Sequence, residues 1–270
     1  MEFQKLRQIL IDSLSFQYSS AASLYILDGQ RPSKKFGSNC YEQARSLRNT
    51  LIAAGFSKAY LVEDMINGRH RSVLCPIQEK LFLVDPYLMH CEPIDISTIV
   101  NSYSADSFPI TRGEKSILTL RRQKDLITIT KSWPYQNRID TFTINISNPC
   151  THDLTRAQYF ERAFHPKQTT LSIRFLNTIT GSVDYLAYPI HANKPELAEL
   201  YIQTSEGNVI TQSDSATFNT KLEELTALID SNNAEVIDFL HEAINLRKKL
   251  LEETPIRNGD TIVPFPYTNK

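Results

Sequence analysis

The chain has 270 residues, with 29 basic against 30 acidic side chains and a formal charge of −1, and is long enough for a full core in one large or two smaller domains. This balance leaves no electrostatic footprint for a nucleic acid or an anionic membrane, and neither is expected as a partner. The four cysteines, Cys40, Cys75, Cys91 and Cys150, show no CxxC spacing and read as free thiols of a reducing, cytoplasmic setting.

The N-terminal MEFQKLRQILIDSL carries charges throughout, unlike the apolar centre of a signal peptide, and no later run approaches a membrane span. Its apolar residues Phe3, Leu6, Ile9, Leu10 and Leu14 predict a helix over 2–16. Tyr41, Ala44, Leu47, Leu51 and Ala54 predict a second over 41–54, which Gly55 ends as a C-cap. Strands are expected at 59–63, 70–75 and 80–85, the first two separated by the turn signal Asn67-Gly68.

From Ile117 to Ile146 the pattern is of strands (SILTLRR, LITITK, DTFTINIS). A short helix is expected over 153–164, with Asp153 as its cap. Further strands read at 170–176, 184–190 and 199–204. The middle part leaves two closures open, a barrel or a sheet folded over the first. Phe218, Leu222, Leu225 and Ile229, then Val236, Leu240, Ala243, Leu246 and Leu250, form two stripes of helical spacing. The class is α+β: N-terminal helices, with a cysteine at a helix N-terminus, on an antiparallel sheet or barrel, then C-terminal helices. The expected organisation is 1–100 as a helical segment plus strands bearing the candidate site, 101–215 as a strand-rich domain, 216–252 as C-terminal helices and 253–270 as a tail.

Cys40 follows Gly37-Ser38-Asn39 and opens a predicted helix. A helix N-terminus stabilises a thiolate through its open N–H groups and its dipole. The N–H groups of Cys40 and Tyr41 can also receive an oxyanion. The plainer reading is a small buried residue, the usual role of a free cysteine. His70 at the head of one strand and Asp85 at the end of the next meet if the two strands pair antiparallel through a loop at Pro76 to Glu79. A carboxylate on one ring nitrogen then leaves the other to take a thiol proton. Read singly, His70 is a solvated turn residue and Asp85 a strand-ending one. His90 neighbours Cys91, and because adjacent side chains of an extended chain point apart it is a weaker candidate. Cys150, His152 and Asp153 lack a second ligand pair at zinc spacing, so no metal is expected.

Cys40-Tyr41-Glu42, Gly55-Phe56 at the helix end, His70 on a strand and Asp85 fifteen residues later resemble the arylamine N-acetyltransferases. The resemblance covers about residues 30–215, with its motif core at 36–88. It implies catalysis by Cys40, His70 and Asp85, with an acyl group moved from a CoA or carrier-protein thioester to a small-molecule amine and no bound cofactor. Tyr41, Gly68, Tyr87 and Phe164 follow as substrate-binding candidates, from proximity to the motif or from family position. The family's Arg-Gly-Gly before the cysteine is Gly37-Ser38-Asn39 here, and its Gly-Phe-Gly after the aspartate is Pro86-Tyr87-Leu88. A relative that closes amides in secondary metabolism would fit these changes. Val84-Asp85-Pro86 is closer to transglutaminase-like cysteine enzymes, which leaves a hydrolase or amide transferase as the first alternative. An inactive binding module that engages a partner through helices at 217–252 is the second.

Overall fold

A computed structural model describes residues 1–66, 68, 70–133, 139–150, 154–190 and 199–253. The first helix, α1 (Glu2–Leu14), buries Leu6, Leu10 and Leu14. A short strand β1 (Tyr18–Ser19) and a two-turn helix α2 (Ala22–Leu27) follow, neither of which the sequence pattern announces. The cysteine-led helix α3 runs Cys40–Ala53. Then come β2 (Tyr60–Glu63), β3 (Arg71–Ile77), β4 (Lys80–Val84) and β5 (Ile94–Asp95). The long strands β6 (Ser102–Thr111), β7 (Glu114–Gln123), β8 (Leu126–Ser132) and β9 (Ile139–Asn145) complete the first half. The second half holds α4 (Arg156–Ala163), β10 (Thr170–Asn177), β11 (Ser182–Pro189), β12 (Tyr201–Gln203), β13 (Val209–Thr211), α5 (Ser215–Ala227) and α6 (Asn233–Glu253).

The chain forms two compact units, and both are α+β. One comprises residues 1–16, 40–153 and 178–181, the other the remaining segments. In the first unit, the antiparallel sheet β2-β3-β4-β5 is buried on both faces. Leu61, Val73, Cys75, Phe82 and Val84 pack against Leu6 and Leu10 of α1 and Ala44, Leu47 and Leu51 of α3. The alternate residues Val62, Leu74 and Leu83 pack against Leu118, Leu120, Ile127, Ile129 and Ile144 of the sheet β6-β7-β8-β9. Double-sided burial explains why β3 reads as an unbroken apolar run where a half-exposed strand would alternate. The expected loop at Pro76 to Glu79 is tighter than the sequence suggests. The ladder continues to the pair Ile77 and Lys80, which leaves Gln78 and Glu79 as the turn, with Gln78 at φ +54°.

The second unit carries the sheet β1-β10-β11-β12-β13, so among the described residues the middle strands divide between two open sheets and close no barrel. Asp153 lies outside the described residues. The cap of α4 is Thr155, whose hydroxyl accepts from the Gln158 N–H while the Gln158 side chain returns to the Thr155 N–H, a full capping box. Both stripes of the C-terminal helices are buried, and Phe239 of α6 stacks on Tyr25 and Phe36 at ring-centroid distances of 4.8 and 4.5 Å. No helix among the described residues is long and apolar enough to cross a membrane.

The segment that leads to Cys40 lies along β1. The Ser19 N–H donates to the Ser38 carbonyl at 2.8 Å and the Ser38 N–H to the Gln17 carbonyl at 3.0 Å. Asn39, buried, donates through Nδ2 to Ser23 at 2.9 Å and to the Tyr159 hydroxyl at 2.6 Å. Gly37 makes this approach possible: at φ +79° and ψ −166° it occupies backbone space nearly closed to other residues, and a Cβ there would stand 2.1 Å from the Gln17 oxygen. Gly37→Ala is therefore expected to cost about 1–3 kcal/mol in strain alone, with the clash in addition. Gly29→Ala, at φ +83° with open space around it, should cost less. Urea titration of the two variants beside the parent chain reads the difference.

Candidate active site

Cys40 is half-buried and is the first residue of α3, in the turn whose N–H groups have no partner within the helix. Tyr41 beside it is 3% exposed, with the Arg71 guanidinium 5.1 Å from its ring centre, and Arg71 is held by Glu63 at 2.7 Å.

His70 immediately precedes β3 and Asp85 immediately follows β4, and both are fully buried. The register pairs Val73 with Val84, so the position opposite Asp85 is that of Ser72 and His70 reaches in from two residues beyond, on the same face. His70 Nε2 and Asp85 Oδ2 are 2.7 Å apart, and the Ser72 hydroxyl donates to the same oxygen at 2.5 Å. Asp85 Oδ1 accepts from the N–H of Tyr87 at 3.0 Å and of Leu88 at 3.4 Å. The imidazole is walled by Phe142, at a centroid distance of 4.2 Å, and Tyr87, at 5.0 Å.

Burial alone would lower the proton affinity of His70. The Asp85 charge and hydrogen bond, with a further contribution from Cys40, overcome this and raise its pKa to about 10. Burial likewise works against the Asp85 charge, and His70, then Ser72, hold its pKa below the ordinary aspartate value. With Nε2 committed to Asp85, the nitrogen left for Cys40 is Nδ1, which is buried and has no other hydrogen-bond partner among the described residues.

Gly68 sits in the loop before His70 at φ +62°, its N–H donating to the Asp64 carbonyl at 3.0 Å. Asp64 ties this loop to β9 by accepting from the Thr143 N–H at 2.9 Å. Its neighbour Asn67 lies outside the described residues, as do His152 and Asp153. Phe164 belongs to the second unit, where it closes α4 and packs on Phe160 at 4.8 Å. No cluster of metal-ligating side chains occurs among the described residues, and no disulfide joins the four cysteines.

No protein-family model and no curated protein matches the sequence. Solved structures do match. The arylamine N-acetyltransferase from Mycobacterium abscessus superposes with a TM-score of 0.54 at 14% identity, covering 90% of this chain and 88% of that one. The fold is that of the arylamine N-acetyltransferases. The enzyme from Mycobacterium marinum, solved in complex with CoA, gives a TM-score of 0.54 at 12% identity over 90% of this chain and 92% of that one. The enzyme from Salmonella typhimurium gives 0.52 at 9% identity over 85% and 86%.

Within this arylamine N-acetyltransferase fold, four side chains around the pair escaped the sequence reading. Ser72 had a usable signal, since strand alternation places it on the face of His70. Phe142 lies 72 positions after His70, on another sheet, and becomes a neighbour only when the two sheets pack. His90 is buried, its Nε2 accepting from the Asp85 N–H at 3.0 Å and its Nδ1 donating to the Glu92 carbonyl at 2.7 Å. Adjacency to Cys91 was the wrong criterion for it, because this stretch is a folded loop and not an extended strand. Lys131, 1% exposed, donates to the carbonyls of Leu88 at 2.9 Å and Phe108 at 2.7 Å.

The coupling of His70 and Asp85 makes stability pH-dependent. Between the ordinary histidine value of 6.5 and about 10, the folded chain holds a proton on His70 that the unfolded chain has lost, so stability falls as pH rises through this window. Asp85 acts in the opposite sense: its contribution is present above the unfolded aspartate pKa and is lost as pH falls through the depressed folded one. Urea midpoints measured from pH 6.5 to 10 should therefore decline more steeply in the parent chain than in His70→Gln.

Proposed function

We propose that the protein is an N-acyltransferase in which Cys40, His70 and Asp85 form a catalytic triad and Cys40 carries the acyl group. The observation that carries this reading is the buried His70–Asp85 pair, whose free nitrogen is left to a cysteine at a helix N-terminus. Cys40 reacts as the thiolate of an ion pair, its proton already held on His70, and the sulfur attacks the carbonyl carbon of an acyl thioester. The N–H groups of Cys40 and Tyr41 receive the oxyanion that forms. Collapse breaks the bond to the donor sulfur, which leaves with the proton from His70. An amine then attacks acyl-Cys40, His70 accepts its proton, and the thiol is restored. Asp85 keeps the imidazole oriented and stabilises its charged form throughout.

The fold shared with an enzyme solved with CoA favours a CoA thioester over a carrier-protein thioester as donor, and a small amine as acceptor. Four cysteines without a disulfide support a reducing, cytoplasmic setting. The buried stripes of α5 and α6 speak against a module that uses those faces to engage a partner.

Intact-mass measurement after mixing with acetyl-CoA should show one acyl adduct, mapped to Cys40 and absent in Cys40→Ala. His70→Gln should slow its formation by about 10²–10⁴-fold. An adduct from a carrier-protein thioester alone would reassign the donor. Amide hydrolysis with no adduct from any thioester would favour the hydrolase.

A further inference from the structure

We propose that His90 is the positioning residue for Asp85, fixing the carboxylate that orients His70 by gripping the backbone of Asp85 from within its own loop. This rests on the triad reading above. Asp85 follows the last paired residue of β4, so no ladder bond reaches its buried N–H, and a buried N–H requires an acceptor. His90 Nε2 supplies it at 3.0 Å, and Nδ1 donates to the Glu92 carbonyl at 2.7 Å.

These two bonds determine the tautomer. An amide N–H donates only to an unprotonated ring nitrogen, and a carbonyl accepts only from a protonated one. His90 is therefore the neutral Nδ1–H form. The charged groups that act on it are Asp85 and Glu92 in the same loop and Lys131 from β8. Burial first, and Lys131 with it, hold the pKa of His90 below the ordinary value against the opposing pull of Asp85, Glu92 and the Glu92 carbonyl. Two histidines thus flank one carboxylate in opposite charge states: His70 positive at its oxygens, His90 neutral at its backbone.

The loop between Asp85 and His90 is held so that this grip is transmitted. Met89 adopts φ +57°, its N–H donating to the Pro86 carbonyl at 3.1 Å and its carbonyl accepting from the Phe108 N–H at 3.0 Å. The Leu88 carbonyl accepts from the Ser107 hydroxyl at 2.5 Å and from Lys131 Nζ at 2.9 Å. The same loop supplies the N–H groups of Tyr87 and Leu88 to Asp85 Oδ1. Every bond that orients the carboxylate, apart from those of His70 and Ser72, comes from a segment whose ends His90 ties together.

Two substitutions separate the bonds of His90. His90→Gln keeps an acceptor where Nε2 stands, and His90→Asn keeps a donor where Nδ1 stands. In the full chain, the rate of iodoacetamide alkylation at Cys40, followed by peptide mass from pH 5 to 9, reads how far the charged imidazole supports the thiolate. In His90→Asn the rate at pH 6 should fall about tenfold, the loss given by a one-unit shift of the acidic limb, with the rate at pH 9 preserved. His90→Gln should retain most of the parent rate at pH 6. Parent-like profiles in both variants, equal losses in both, or failure of both to fold would overturn the positioning role. A parent profile with the pH dependence of an ordinary thiol would instead overturn the triad reading on which it rests.

Discussion

The first unit is organised around an ion pair that has been taken out of water. Removing an imidazolium and a carboxylate from solvent costs several kcal/mol for each ion, and the attraction across 2.7 Å offsets this only when the remaining lone pairs are filled. Asp85 meets that condition: Oδ2 accepts from His70 and Ser72, and Oδ1 from two backbone N–H groups. The surroundings follow from this demand. Phe142 and Tyr87 exclude water from the ring of His70, and the loop after β4 turns back so that its N–H groups face the carboxylate.

Those groups can be positioned because the sheet beneath them cannot slide. With α1 and α3 on one face and β6–β9 on the other, β3 and β4 have an apolar core on both sides. A slip by one residue would exchange every side chain between the two cores. The same constraint places Arg71 on the helix side, under Tyr41, and His70 on the opposite side, under Phe142. Cys40 is approached from the other direction. The residues that precede it are bonded along β1 through a glycine.

Much of this was legible in the sequence, for identifiable reasons. Helices with single apolar stripes, such as α1, α3 and α6, declare themselves, and so do strands of five or more residues bounded by turns. The six-residue α2 and the two-residue β1 are too short to show a period, and their stability comes from packing. Cys40, His70 and Asp85 could be singled out because each stands at the end of a regular element, where spacing predicts position. His90 and Lys131 could not, since they act through a loop whose path depends on a left-handed residue at Met89 and on carbonyls that only the folded chain brings together. The turn between β3 and β4 was misjudged because Pro76 suggests a loop, whereas the ladder passes through it to Ile77.

The two-residue turn of that hairpin imposes a counting rule. In the observed register the numbers of paired residues always sum to the same odd value, as Val73 with Val84 and Ile77 with Lys80 do. A base on one arm and its carboxylate on the other can then share a face only when an odd number of positions separates them. His70 and Asp85, fifteen apart, satisfy this. A relative that lengthens the arms and keeps the two-residue turn can keep the pair only by adding residues two at a time. While that turn is kept, the parity of the interval, more than its length, is the quantity that descent must preserve.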